Sequence, residues 1–325
     1  MKDDAVAPVV AAMLLLAVIV TVFAAWNAIV LPSLKDQSEI LQDHEVRDAL
    51  VRFSSDLGTA ASLKRDLMLS ESLPLGGGDV LIDPLLSAGT LRVNPGTGDI
   101  YNVTVVSGGS TYIVNGSLVN ISYRPVGDFW LDQGYTWHYG YLNVTRSSSP
   151  HGADGAALSA PLSSRYPTME GITRSPQVEG LAASLAVAGA EPYSNSSTNA
   201  SRVTIASVTF RPEDGVSHAS GNGIATLTLA ASVRTPPPGF PANVNPESVT
   251  VYFSNASDAP LPFRRALYRE CNQSFAELNA TYPGNIEHLF DRESMPPRYT
   301  GIRKLAGGLP FNLTYRQADI RVSVQ

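Results

Sequence analysis

Ala5 to Leu31 reads AVAPVVAAMLLLAVIVTVFAAWNAIVL, with no charged residue in 27 positions. At about 1.5 Å of rise per residue this helix reaches about 40 Å, more than the roughly 30 Å hydrocarbon core of a bilayer. One helix can therefore cross a membrane here. No later stretch of the 325 residues approaches it, so the chain reads as a single apolar helix carrying a large polar-surfaced remainder. Pro8 falls in the first turn, where a missing N–H does no harm, whereas Pro32 breaks or kinks a helix at the membrane exit.

Outward from that run, residues 1–4 (MKDD) form a short segment too small for the basic start of an ordinary secretory signal, and the apolar run is longer than such signals carry. A cleaved signal ending near Ala25 is the alternative. Ser33 or Ser38 can cap a second helix running to about Leu69, in a stalk segment spanning 32–75. Val46, Leu50, Phe53, Leu57, Ala60 and Leu67 follow steps of three, four and seven, which makes one apolar stripe among charged neighbours. That stripe packs on the protein's own β domain or on a neighbouring subunit.

Ser70–Gly78 is a breaker, and period-two runs dominate from 76 to 325: Ile100–Val106, Tyr112–Tyr123, Tyr135–Val144, Arg202–Phe210, Ile224–Val233, Val249–Phe253 and Ala318–Val324. A helix over Leu261–Asn279 places Phe263, Leu267, Phe275 and Leu278 along one side. The expected class is α+β: a long apolar helix, kinked near Pro32 and continuing into an amphipathic one, then an antiparallel, sandwich-like β head with one docked helix.

Composition narrows the function. Charged residues make up 16% of the chain and the net charge is −6, too mild for a basic nucleic-acid footprint. A single cysteine, Cys271, allows no intramolecular disulfide and reads most simply as a small buried hydrophobe. Ten of the sixteen asparagines begin N-x-S/T sequons: Asn102, Asn115, Asn120, Asn143, Asn195, Asn199, Asn255, Asn272, Asn279 and Asn312. All follow the apolar run, so an N-glycosylated exterior is expected, with the N-terminus on the cytoplasmic side of the cell membrane and the C-terminal bulk outside. Lys and Arg counts flanking the run do not decide the orientation; the sequons do.

Ala5-Val6-Ala7-Pro8-Val9-Val10, after an acidic pair and before an unbroken Leu/Val/Ile/Ala helix, resembles the N-terminal segment of archaeal type IV pilin-like proteins. The match covers roughly the first 30 residues; the layout beyond is similar to archaeal surface proteins with pilin-type starts. The resemblance implies a class III signal cut by a prepilin peptidase and a helix that packs with other pilin-like subunits, in which Pro8, Ala12 and Leu16 would lie at the assembly surface. The basic residue followed by Gly that often marks the cut is absent between Lys2 and Asp4.

Catalytic signatures are sparse. The chain contains no phosphate-binding G-x-x-x-x-G-K-[ST], no H-E-x-x-H, no G-x-S-x-G and no C-x-x-C. His288 and Asp291 could share a helical face without making a metal site, and Asp128 and Asp132 lie in a loop without a third partner. No cofactor is expected. Tyr135, Trp137, Tyr139 and Tyr141 alternate along one expected strand, where their rings could stack on sugars or a partner, cover the core, or meet the long helix. The function expected is that of a minor or tip subunit in a pilus-like filament. A single-span anchored surface protein that binds a ligand or envelope partner is the alternative, and an extracytoplasmic enzyme the third.

Overall fold

Helix α1 covers Val6–Ala25, one π-helical turn covers Trp26–Val30, and helix α2 runs over Leu31–Leu63. The computed structural model describes residues 6–63, 65–76, 87–126, 133–138, 141–146, 157–161, 185–254, 261–291 and 298–325. Pro32 has no N–H to give the carbonyl four residues back, and its ring crowds that carbonyl. The wider turn before it takes up the mismatch. Polar side chains near this point turn inward onto the backbone, Thr21 Oγ1 donating to Ala17 O and Asn27 Nδ2 to Phe23 O at 3.0 Å.

Along α2 the buried positions are Lys35, Glu39, Gln42, Val46, Ala49, Leu50, Phe53, Ser54, Leu57, Ala60 and Ala61, a stripe at steps of three and four. The expected stripe is present through Ala60 but not at Leu67. The helix ends at Leu63, and Leu67–Pro74 form strand β1, paired antiparallel with β12 (Ile224–Arg234) from Leu67↔Ala231 to Pro74↔Ile224. Leu67, Leu69 and Leu73 alternate with exposed Met68, Ser70 and Ser72, and this period of two outweighs the helical reading that placed 67–75 in the stalk.

Three sheets follow. The first has the order β1, β12, β16 (Asn312–Val324), β10 (Ser196–Pro212), β9 (Ala186–Tyr193). The second runs β11 (His218–Gly221), β2 (Ala88–Pro95), β5 (Val119–Val126), β6 (Gln133–His138), β7 (Tyr141–Arg146), β8 (Ala157–Pro161). The third runs β14 (Ile286–Phe290), β15 (Tyr299–Lys304), β13 (Ser248–Phe253), β3 (Tyr101–Ser107), β4 (Ser110–Gly116). Described pairings are antiparallel except β10 with β16, which run parallel from Arg202↔Asn312 to Pro212↔Val322. The chain between them includes β13 to β15 and a helix, long enough for the crossover that parallel strands need. Helix α3, Leu261–Thr281, docks on β9, β14 and β15 with Phe263, Leu267, Cys271, Phe275 and Leu278 buried, as its spacing predicts.

Strands β10 and β16 exchange buried faces part-way along. In their first halves Val203, Ile205, Leu313 and Tyr315 are buried; further on, Val208, Phe210, Ile320 and Val322 are, on the opposite parity. In the first set the Tyr315 ring lies 5.1 Å from that of Phe240; the second joins Leu227 and Leu229 of β12 on the face that α2 covers. One pair of strands thus serves two core regions. Past the exchange, the outer parity of β16 carries Asp319, buried yet bonded to Arg211, with Arg234 and Arg321 nitrogens 3.8 and 3.9 Å away. All three cations face Oδ2, while Oδ1 is buried without a hydrogen-bond partner among the described residues.

Candidate assembly surface

The apolar helix offers a long unpartnered surface among the described residues. Among the described residues, no position from Val10 to Val30 is buried, and Met13, Leu14, Leu15 and Leu16 are 61–66% exposed. Ala12 is exposed beside them, and Pro8 lies within α1. This is one helix long and apolar enough to cross a membrane. It has no polar face, because every residue from Val6 to Phe23 except Thr21 is apolar, and Thr21 spends its hydroxyl on its own backbone. Such a helix presents apolar surface on every side.

From Lys35 onward the same helix is fastened to the β head. Asp43 accepts from Tyr135 OH at 2.6 Å and from Gln133 Nε2 at 3.2 Å. Gln42 Nε2 donates to Tyr123 OH at 3.0 Å, and Ser87 Oγ donates to Gln42 Oε1 at 3.2 Å. Phe53 meets Trp137 edge to face, with ring centroids 6.2 Å apart. Burial, followed by the bond to the Asp43 carboxylate, pushes the Tyr135 hydroxyl well above its ordinary pKa, so it stays a donor. Polar partners at stripe positions thus set the register between helix and head, and apolar ones supply the burial.

These contacts decide the aromatic run. Tyr135 and Trp137 are 1% and 0% exposed and face α2, so they cannot offer a binding surface. Nor do the four aromatics share a strand: β6 ends at His138, and Tyr141 opens β7 paired with His138. Tyr139 lies outside the described residues. Trp137 pairs with buried Leu142, so the buried parity passes from odd to even positions across the hairpin, which the period-two pattern could not reveal. Tyr112–Tyr123 divides similarly at Gly116 into β4 and β5 of different sheets; a Cβ on Gly116 would lie 2.1 Å from Tyr101 Cζ, so only glycine fits where the chain turns over that ring.

His288 and Asp291 are not brought together. His288 belongs to strand β14, where helical spacing does not apply; its Nε2 is 3.3 Å from Thr300 Oγ1 and its ring stacks on Phe290, while Asp291 accepts from Arg298 N at 3.0 Å. Asp128 and Asp132 lie outside the described residues. Among the described residues no group of three or more His, Cys, Asp or Glu could hold a metal ion. Cys271 is buried, and burial alone drives its thiol far above the ordinary value, which keeps it protonated. Burial lowers the His288 imidazole below its ordinary 6.5. The unfolded chain then takes up this proton first as pH falls, so the stability His288 contributes is present above 6.5 and is lost as pH drops through the folded-state value. The melting temperature of the wild type is expected to fall more steeply below that pH than that of His288→Gln; parallel profiles would remove His288 from the acid response.

The structure also sorts the sequons. Asn115 and Asn195 are exposed, and Asn102, Asn120 and Asn279 half-buried. Three are engaged in packing: Asn199 Nδ2 donates to Ser196 Oγ at 2.7 Å, Asn312 Nδ2 donates to Asn243 Oδ1 at 3.1 Å, and Asn272 Oδ1 accepts from Thr300 Oγ1 at 3.0 Å. Asn143 stands in β7, and Asn255 lies outside the described residues. No family model, curated protein or solved structure matches the chain.

Proposed function

We propose that this chain is a structural subunit, of the minor or tip kind, in an archaeal type IV pilus-like surface filament. The division within one continuous helix carries the reading. Residues from Val10 to Val30 bury nothing against the head, whereas from Lys35 to Ala61 every turn is buried in it. A subunit that waits in the bilayer and then enters a filament core needs an apolar helix free on all sides and a head that cannot swing away from it. The helix kinks at the π turn before Pro32, and the first and second sheets form the sandwich-like part of the head. The N-terminus lies inside and the glycosylated head outside; the partners are the membrane, a prepilin peptidase and other pilin-like subunits.

The uniform apolarity of the same helix also supports a second reading, a permanent single-span anchor for a surface protein that binds a ligand or an envelope component. Thiol crosslinking separates the two, because Cys271 is buried and protonated and therefore silent. Leu16→Cys is expected to yield chain-to-chain crosslinks in piliated cells with a membrane-permeant bifunctional reagent. Monomer alone would favour the permanent anchor.

A further inference from the structure

The outer face of the third sheet brings a sequon into register with an aromatic pair. Across β4, β3, β13 and β15, Asn115 stands opposite Asn102, Asn102 opposite Tyr252, and Tyr252 opposite Tyr299. Tyr101, Val103 and Val105 point to the core, so this row faces outward. Tyr252 is 44% exposed, and its ring lies 5.8 Å from that of Tyr299, tilted by 48°. Other strand sequons have different partners, Asn120 facing Asn94 and Asn312 facing Arg202.

We propose that Tyr252 and Tyr299 form a built-in seat for the sugar carried on Asn102, so that this glycan lies on the sheet instead of projecting from it. The inference rests on the glycosylated exterior proposed above. Directly opposite residues of an antiparallel pair have Cβ atoms about 4.5–5.5 Å apart, which sets the first sugar ring over Tyr252. Two inter-strand spacings, about 10 Å, carry a second ring to Tyr299. A pyranose presents one face of C–H groups, and a tyrosine presents an apolar ring with a polar tip, so stacking covers apolar area on both while their hydroxyls stay in water. Attachment joins Asn102 Nδ2 to the anomeric carbon of a phosphate-activated, lipid-carried sugar. The bond from that carbon to the phosphate oxygen breaks, the amide gives up one proton, and the phosphate leaves with the electron pair. No hydrogen bond engages the Asn102 amide among the described residues, so the modification displaces none.

Full-length protein from its native host, held in detergent, tests the seat in wild type, Asn102→Gln, Asn115→Gln, Tyr252→Ser and Asn102→Gln with Tyr252→Ser. Site-resolved glycopeptide mass spectrometry is expected to find sugar at Asn102 in the wild type and in Tyr252→Ser. Hydroxyl-radical footprinting should then oxidise Tyr252 and Tyr299 severalfold faster in Asn102→Gln than in the wild type, with Asn115→Gln unchanged. Asn102→Gln should lower the melting temperature by about 2–4 °C, the shift that about 1 kcal/mol produces in a domain of this size, and the loss should vanish on the Tyr252→Ser background. Sugar at Asn102 with Tyr252 oxidised as fast as in Asn102→Gln would overturn the seat and leave the glycosylated exterior standing. A bare Asn102 beside occupied neighbours would do the same. Bare asparagines at every sequon would overturn both.

Discussion

Phe53→Ala is expected to destabilise the protein by about 3–5 kcal/mol, the range for truncating a buried aromatic. Phe53 is 1% exposed in the middle of the α2 stripe, and its ring meets Trp137, itself fully buried, edge to face. Truncation opens a cavity where helix, first sheet and second sheet converge, and the flanking Ala49, Ala60 and Ala61 are too small to fill it. Leu41→Ala, one helical face away and 65% exposed, is the control and should leave stability nearly unchanged. Denaturant unfolding in detergent, followed by tryptophan fluorescence, measures both. Equal and small effects would mean that α2 is not fastened to the head.

Ala12→Leu and Leu16→Arg are expected to reduce filament incorporation while acting differently on the membrane. Leu16→Arg places a charge at the helix centre, costing about 2.5–3.5 kcal/mol on the insertion scale, which the surrounding Leu, Val and Ile residues can bear. A helix bundle gives that Arg no headgroup to reach, so packing should suffer more than insertion. Ala12→Leu barely changes lipid partitioning, yet it adds bulk to a surface where small residues allow close helix approach. Membrane levels of Ala12→Leu should therefore equal the wild type while its share of sheared filaments falls. Equal shares would show that this face of the helix meets no neighbour.

The parts of the fold set by local periodicity were legible in the sequence. The uncharged run, the stripe from Val46 to Ala60 and the helix from Leu261 were readable because each repeats within one element. Strand β1 was hidden, since Ala60 to Leu67 is a step of seven that fits two helical turns as well as a new element. The runs through Gly116 and Tyr139 merged because apolar residues continue through both turns, although the buried parity changes there, from Val114 to Val119 and Ile121 and from Trp137 to Leu142. Nothing local could announce the parallel pairing of β10 with β16, whose partners lie over a hundred residues apart, or the face exchange that lets them serve two core regions. The sequons were plain as triplets, but the placement of Asn102 opposite Tyr252 depends on cross-strand register. Asp43 and Gln42 escaped notice as helix fasteners; the signal was polar residues continuing the stripe toward the N-terminus at steps of three and four.

Mass spectrometry of filaments sheared from piliated cells of the native host, set against the detergent-solubilised membrane of the same cells, bears most directly on the filament reading. The filament account predicts peptides of the head, from Leu67 to Gln325, in the sheared fraction, at a level below that of the major subunit. Recovery of the chain from the membrane alone, in cells that are visibly piliated, would contradict it.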